Sequence, residues 1–260
     1  LIMSELQKIS TVQDRTLGTV VTFSDTNGED FGAVRGQGFW QTIAEVLREY
    51  GTQSGMIGVQ LGALNVREFE ALKSLLPDAG FRDFSNSMWR IRQVKEAGEV
   101  DLSSQATRVA EIGVRTALEI VVPGKTEIDA SVEIEAVMRA AGGQLRGIRA
   151  AVLSSPNRFY PFVNPTVERI PSGTPVLIDI TVSHGGYFAE VARTLHIGTP
   201  SNEQRRVHEA ALMLNRAIEE RLVPGAVIGE VVSEATKQAV KSSDVPYEVT
   251  SPLGNSIGLD

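Results

Sequence analysis

Two carboxylates in a strand–turn–strand pattern are the residues of this chain best suited to chemistry. Asp179 interrupts the apolar run 176–182, and Glu190 follows eleven residues later, across the pair Gly185-Gly186. Consecutive glycines between two strand-like segments are typical of a β-hairpin turn. The spacing therefore predicts that both carboxylates lie on one face of neighbouring strands.

The expected environment of Asp179 limits what it can do. A carboxylate inside an apolar strand is predicted to be buried, and an unpaired buried charge is costly. Asp179 therefore needs a cation, a metal or a dense hydrogen-bond network. Two facing carboxylates suit a hard divalent cation, or one proton shared as an acid/base pair. The structural alternative is that Asp179 pairs with Arg193 while Glu190 lies on the solvent side of an edge strand; the spacing leaves these possibilities open.

The first part of the chain alternates strand-like and helix-like segments. Residues 19–24 and 56–61 have strand character, whereas 39–50 and 66–76 have helical periodicity and end at Gly51 and Pro77. This alternation is typical of an α/β domain. A long helical pattern over 94–122 begins a different region, so we place a domain boundary near residue 92, giving domains 1–92 and 93–260.

The second domain contains an internal repeat. Residues 117–124 end in Val-Pro-Gly, and about a hundred residues later 217–225 end in the same way. In each copy a helical pattern stops at the Pro-Gly pair and a second one follows, because proline cannot continue a helix and glycine permits the turn. Strand candidates lie between the copies at 150–154, 176–182 and 187–197. The repeat predicts two similar halves with a cleft between them.

Composition excludes several classes of function. The chain has 260 residues and a net charge of −7, which disfavours nucleic-acid binding. It has no cysteine, which excludes disulfides, zinc–thiolate sites and a cysteine nucleophile. No apolar stretch approaches the ~20 residues of a membrane span, and residues 1–10 show no signal peptide, so we expect a cytoplasmic protein. The first residue is Leu and the last residues form a glycine-rich motif, so we expect both ends to be cut. Nucleotide-binding and serine-hydrolase motifs are also absent from the sequence.

Several motifs, taken in order, resemble one known superfamily. They are Ile91–Lys95 with Glu99, Val122-Pro-Gly124, Val176-Leu-Ile-Asp179, Gly186–Leu195 (GYFAEVARTL) and Gly254–Leu259 (GNSIGL). The set resembles the creatinase/aminopeptidase P/methionine aminopeptidase superfamily. The resemblance implies an α/β (α+β) protein in which a smaller creatinase-type N-terminal domain precedes a duplicated "pita-bread" catalytic domain, here truncated at its C-terminus.

The resemblance also implies a metal site, and this chain departs from it. The superfamily holds two ions, often Mn, Co, Fe or Zn, with Asp, Asp, His, Glu and Glu. Asp179 matches the first Asp, Glu190 stands for the second, and Asn255 stands where the His belongs. An amide oxygen is a poorer ligand for such metals than an imidazole nitrogen. The two Glu ligands would lie beyond residue 260, so a divalent metal and a metal-free site both remain open.

Other site residues follow from the same resemblance. A further family histidine falls near residues 160–164, where this chain has Tyr160, Phe162 and Asn164 instead. With Asn255, these three are our candidates for substrate binding, and Asp179 and Glu190 are our candidates for catalysis and for metal ligands. Creatinase also lacks the metal ligands and shares the Asn-Pro pair at 164–165, but the histidine base of creatinase is missing here.

The three histidines of the chain are predicted to have packing or surface roles. His184 falls at the hairpin turn, His196 on the returning strand and His208 in the next helix. None occupies a ligand position of the family, although His196 could face the cleft.

Three functions fit these observations. The first is a hydrolase that cleaves a C–N bond in a small proline-containing peptide or amide-like compound, with Asp179 and Glu190 acting at an altered metal site or as acid/base groups. The second is a metal-free binding module that recognises peptides, and the third is an inactive domain in which both carboxylates are structural. The resemblance implies a homodimer, and neither nucleic acid nor membrane is expected as a partner.

Overall fold

The computed structural model describes residues 2–4, 21–23, 37–144, 147–154, 163–243, 254 and 256–259. The chain forms two compact units, Leu1–Val94 and Lys95–Asp260. Each unit has its own cluster of buried apolar side chains.

The first unit is an α/β assembly. Its elements are β1 (Ile2–Ser4), β2 (Val21–Phe23), α1 (Gln37–Glu49), β3 (Met56–Val59), α2 (Val66–Leu75), β4 (Gly80–Asp83) and α3 (Ser85–Gln93). Strand β1 pairs with β2 and β3 with β4, both in parallel. The core consists of Trp40, Ala44, Val59, Leu72 and Leu76.

The ends of the helices in this unit follow local sequence signals. Chain direction changes after α1 at Gly51, whose φ of 67° is in the left-handed region that glycine tolerates. Helix α2 begins at a capping box, in which Asn65 and Glu68 each accept a hydrogen bond from the other residue's backbone N–H. The alternation of strands and helices predicted for this region is confirmed.

The second unit packs two helices on an antiparallel sheet. Its elements are α4 (Ala97–Ile120), α5 (Glu127–Ala140), β5 (Arg149–Leu153), β6 (Pro175–His184), β7 (Tyr187–His196), α6 (Asn202–Glu219) and α7 (Ile228–Ser243). Among the described residues the strand order is β5-β6-β7, with both pairs antiparallel. The predicted hairpin is confirmed: Gly185 and Gly186 have φ values of 57° and 85°, as a two-residue turn of type I′ requires.

Side chains of β6 alternate between the two faces of this sheet. Val176, Ile178, Ile180 and Val182 are fully or almost fully buried against the core formed with α4 and α5. The intervening Leu177, Asp179 and Thr181 are half-buried on the opposite face. The strand therefore presents an apolar face to the helices and a mixed face away from them, and the mixed face holds the candidate chemistry.

The repeat predicted around the Pro-Gly pairs has the same local structure in both copies. Gly124 follows α4 with a φ of 85°, and Gly225 follows α6 with a φ of 88°. Helices α5 and α7 begin shortly after these glycines. The predicted succession of helix, turn and helix is confirmed for both copies.

The predicted start of the long helix was wrong by a few residues. The expected pattern covered 94–122, whereas α4 begins at Ala97 because Glu96 caps it. The Glu96 side chain accepts from the backbone N–H of Glu99, and the Glu99 carboxylate accepts from the backbone N–H of Glu96.

Candidate active site

The register of the hairpin brings the two candidate carboxylates to one face. Asp179 lies opposite Ala192, and Glu190 lies opposite Thr181. Since directly opposed residues of an antiparallel pair share a face, Asp179 and Glu190 are diagonal neighbours, with Cα atoms about 7–8 Å apart in such a pair. This is the arrangement that their spacing predicts.

Arg149 neutralises Asp179. Its Nη1 donates to Oδ2 of Asp179 at 2.7 Å, and the two side chains are 31% and 19% exposed respectively. Arg149 lies opposite Thr181 on β5, which puts it on the same face as Asp179. Asp179 was expected to be buried, but its side chain is only partly buried. The expected neighbouring cation is present and is Arg149.

The predicted alternative pairing with Arg193 is also wrong. Arg193 lies opposite Ile178, on the other face of the sheet from Asp179. It is exposed, and its Nη1 donates to the backbone oxygen of Ala192 at 2.7 Å. The hairpin register thus separates these two side chains.

A second contact fixes the guanidinium of Arg149. Its Nη2 donates to the backbone oxygen of Val163 at 3.1 Å. On the neighbouring residue, the backbone N–H of Ala150 donates to Oε1 of Glu135 at 3.0 Å, which ties the start of β5 to α5. Arg149 is therefore held by the sheet and by the segment that begins at Val163.

Glu190 differs from Asp179 in its surroundings. Its side chain is exposed on β7, and its carboxylate has no hydrogen bond or ion pair within the described part of the chain. A carboxylate in this state can accept a proton or a hydrogen bond from a bound molecule.

Comparison with protein families identifies the class of the chain. The model of metallopeptidase family M24 matches residues 101–260, and the model of the creatinase/prolidase N-terminal domain matches residues 1–94. The chain belongs to metallopeptidase family M24. The resemblance inferred from the motifs is confirmed, as is the order of an N-terminal creatinase-type domain and a catalytic-type domain.

Curated relatives and solved structures agree with this family. An Xaa-Pro dipeptidase of Lactobacillus helveticus is 26% identical over 237 residues, covering 90% of this chain and 64% of the relative. An uncharacterised hydrolase/peptidase of Sinorhizobium fredii is 28% identical over 225 residues, covering 85% of this chain and 57% of the relative. The chain thus spans less than two thirds of the length of these relatives.

The structural likeness extends over the whole chain. A prolidase from Pyrococcus furiosus gives a TM-score of 0.77 at 21% identity, covering 100% of this chain and 70% of that one. An Xaa-Pro dipeptidase from Bacillus anthracis gives a TM-score of 0.79 at 19% identity, covering 100% of this chain and 68% of that one. At these identities the likeness shows the fold, which is that of the pita-bread prolidases.

The described residues of this M24 chain do not fit the family's dinuclear metal centre. Peptidases of family M24 normally use divalent metals. Here Oδ2 of Asp179 accepts from the guanidinium of Arg149 at 2.7 Å, which places a permanent positive charge beside the candidate metal ligand. In the part of the chain that the structure describes, no three His, Cys, Asp or Glu side chains form a group able to hold a metal.

Of the four predicted substrate-binding residues, the structure describes Asn164. Asn164 is exposed and directly follows Val163, whose carbonyl accepts from Arg149. Tyr160, Phe162 and Asn255 lie outside the described residues. The glycine-rich segment that contains position 255 is partly described, since the backbone oxygen of Gly258 accepts from the N–H of Phe188 at 2.7 Å. Gly258 therefore lies beside Phe188 at the start of β7, and Phe188 is two residues before Glu190 in the chain.

Glu127 is a structural residue whose role the sequence reasoning missed. It is fully buried, and its oxygens accept hydrogen bonds from two described residues: Oε1 from N and Oγ of Ser154, and Oε2 from N and Oγ1 of Thr166. It thus joins the end of β5 to the segment that also contacts Arg149. No local sequence signal identifies this role, because Ser154 and Thr166 lie 27 and 39 residues further along the chain.

The histidines make local contacts. Nδ1 of His184 lies 2.9 Å from the backbone oxygen of Gly142. The rings of His196 and His208 pack edge to face, with centroids 5.7 Å apart. His196 lies opposite Pro175, which puts it on the face of Asp179 but four residues along the strand. These contacts agree with the expected packing or surface roles, and none of the three histidines contacts Arg149 or Asp179 in the described structure.

The helices give no sign of a membrane span. Within the described residues, no helix is both long and apolar enough to cross a bilayer.

Proposed function

We propose that this chain forms the N-terminal domain and the first part of the catalytic domain of an M24-family hydrolase. The reaction is cleavage of a C–N bond in a small peptide, such as a proline-containing dipeptide, or in an amide-like compound. The observation that carries the proposal is the exposed carboxylate of Glu190 on the same sheet face as the Arg149–Asp179 ion pair. The naming of curated relatives as Xaa-Pro dipeptidases supports the substrate class.

In this proposal Glu190 is the general base. Its carboxylate accepts a proton from water while the water oxygen attacks the carbonyl carbon of the scissile bond. The C–N bond then breaks and the proton passes to the leaving amine. The exposure of Glu190 and its lack of a partner among the described residues suit this role, because a general base must reach the proton it removes.

Asp179 has a different role in the same proposal. Its carboxylate is engaged by Arg149, so it positions the guanidinium rather than taking protons. Since the described residues do not fit a dinuclear metal centre, the proposed reaction proceeds without a step at a metal ion.

A peptide-binding module without catalysis is the second candidate. It is favoured by the ion pair between Arg149 and Asp179, because this pair makes the described carboxylates poorly suited to the metal chemistry of the family. The two candidates differ in turnover: the module binds a peptide and releases it unchanged.

Three further proposals come from the sequence and the family resemblance. They are a domain boundary near residue 92, assembly as a homodimer and a cytoplasmic location. Light scattering of the purified protein tests the homodimer, and cell fractionation tests the location.

The decisive experiment compares turnover by the wild type and by Glu190→Gln. The protein that carries this chain is incubated with Xaa-Pro dipeptides and N-acyl amino acids, and products are measured by mass spectrometry. Removal of a general base lowers kcat by about 10²–10⁴-fold, so we expect a loss of that size with little change in KM.

The control for this experiment is Glu119→Gln, which changes an exposed glutamate near the end of α4. It should retain wild-type turnover. Full activity of the Glu190 variant would refute the assigned role, whereas binding of a peptide without turnover by the wild type would favour the binding module.

A further inference from the structure

We infer that Arg149 is the resident cation of this site and occupies the place at Asp179 that a divalent metal takes in metal-dependent members of family M24. The inference concerns which cation the site holds. It therefore does not depend on the reaction proposed above.

The geometry holds the guanidinium at the carboxylate from two directions. Nη1 donates to Oδ2 of Asp179 at 2.7 Å, and Nη2 donates to the carbonyl of Val163 at 3.1 Å. Arg149 is the first residue of β5, and the antiparallel register with β6 puts its stem on the face that carries Asp179. Two hydrogen bonds from a planar, rigid fork fix its orientation better than a single contact would.

The charges on this face leave little attraction for a second cation. Asp179 and Glu190 contribute two negative charges and Arg149 one positive charge, so the three groups sum to −1. A divalent ion bound by Asp179 would lie next to the guanidinium, which is permanently charged and cannot release a proton to relieve the repulsion. The ion would have to bind Asp179 beside this guanidinium or displace it from Oδ2.

The same geometry favours a different kind of ligand. A guanidinium has five N–H donors, and the contacts to Asp179 and Val163 use two of them. The other donors of Arg149 have no protein acceptor within the described ranges, and its side chain is 31% exposed. The site is thus suited to an oxygen acceptor, such as the carbonyl or carboxylate of a small molecule, rather than to a metal ion.

The test replaces Arg149 and measures metal binding directly. Wild-type protein, purified without chelators, is titrated with MnCl₂ and ZnCl₂ by calorimetry and melted with and without each salt. We expect no stoichiometric binding and no metal-dependent shift of Tm. In Arg149→Met the charge is lost and the apolar stem remains, so Asp179 and Glu190 face each other without a cation. This variant should bind one ion per chain at least tenfold more tightly than the wild type, with a Tm that rises on metal addition.

Three further variants test whether the lost charge of Arg149 causes the gain in metal binding. Arg149→Lys keeps a positive charge and should stay metal-free. Arg149→Met combined with Asp179→Asn should lose the gained binding. Arg193→Met removes an exposed arginine on the other face of the same hairpin and should behave as the wild type.

The outcomes separate the inference from its alternatives. Near-stoichiometric metal in the wild type that disappears in Asp179→Asn would overturn it. So would a folded Arg149→Met protein with no gain in affinity. Circular dichroism establishes folding, and if the methionine variant is unfolded, Arg149→Gln carries the same test. Because no readout involves turnover, failure of the proposed hydrolysis leaves these results unaffected.

Discussion

Glu127 shows how hydrogen bonds can stabilise a buried carboxylate. Its side chain is fully buried, and both carboxylate oxygens accept a backbone and a hydroxyl donor. Dehydration of a charge costs free energy, and four charge-assisted hydrogen bonds offset that cost. The bonds also hold Thr166, three residues after Val163, whose carbonyl accepts from Arg149.

Replacement of Glu127 tests how much its hydrogen bonds contribute to the stability of the fold. In Glu127→Gln one oxygen becomes an NH₂ group that faces two donors, so we expect the free energy of unfolding to fall by about 2–4 kcal/mol. Urea denaturation followed by circular dichroism measures the change. The control is Glu133→Gln on the same helix, where an exposed carboxylate pairs with Lys125 at 2.6 Å and should contribute under about 1 kcal/mol. Equal effects of the two substitutions would contradict the assignment.

For Asp179, the sequence predicted the presence of a neighbouring cation but not which residue supplies it. Its place within an apolar strand predicted a nearby cation, and its spacing from Glu190 predicted a shared face. The identity of the cation did not follow, because Arg149 lies thirty residues earlier and the register of β5 on β6 is not encoded by any local turn. A glutamate beside the Pro-Gly turn was equally uninformative, since its partners are up to 39 residues away.

At the scale of elements, Gly113 allows α4 to approach its neighbours closely. A Cβ atom at this position would lie 2.7 Å from Sδ of Met138 on α5 and 3.0 Å from Cδ1 of Ile180 on β6. Both neighbours are fully or almost fully buried and belong to the main core. The glycine thus sets the distance between the long helix and the sheet that carries Asp179.

The expected effect of Gly113→Ala is opposite to that of the usual helix propensity. Alanine favours a helix over glycine by about 1 kcal/mol, but overpacking of a dense core costs about 1–3 kcal/mol. We therefore expect lower stability in urea denaturation. Gly98→Ala is the matched control. The position lies in the first turn of the same helix, and beyond the adjacent helix backbone no described atom lies within 4 Å of the added Cβ, so stability should be unchanged or slightly higher. A stabilised Gly113 variant would show that Met138 and Ile180 rearrange freely.

The elements themselves were largely predictable because their signals are local. Gly185-Gly186 fixed the hairpin, and the two Pro-Gly pairs ended α4 and α6, since each depends on backbone angles that glycine permits. The start of α4 was misplaced because apolar periodicity extends back to Val94, whereas the capping box at Glu96 determines where the helix begins.

At the scale of the molecule, the ordered motifs identified the family but not the chemistry of the site. Fold depends on many weak signals spread over the chain, so single substitutions at ligand positions do not obscure it. The function depends on a few side chains and on which of them meet, and Arg149 meets Asp179 through tertiary packing. Family membership therefore does not predict the ion pair between Arg149 and Asp179, because none of the recognised motifs contains this arginine.

The division into two units leads to the last prediction. Leu76 is 2% exposed and packs in the core of Leu1–Val94, and among the described residues this core and the main core of the second unit consist of different side chains. Leu76→Ala removes buried methyl groups and leaves a cavity, which typically costs about 2–5 kcal/mol. If the units are separately stabilised, hydrogen exchange measured by mass spectrometry should show faster exchange in α1, α2 and β3, with α4, β5 and β6 unchanged. Met138→Ala provides the reciprocal test, because Met138 is fully buried in the second unit. Faster exchange throughout the chain in either variant would show instead that the two cores unfold as one cooperative body.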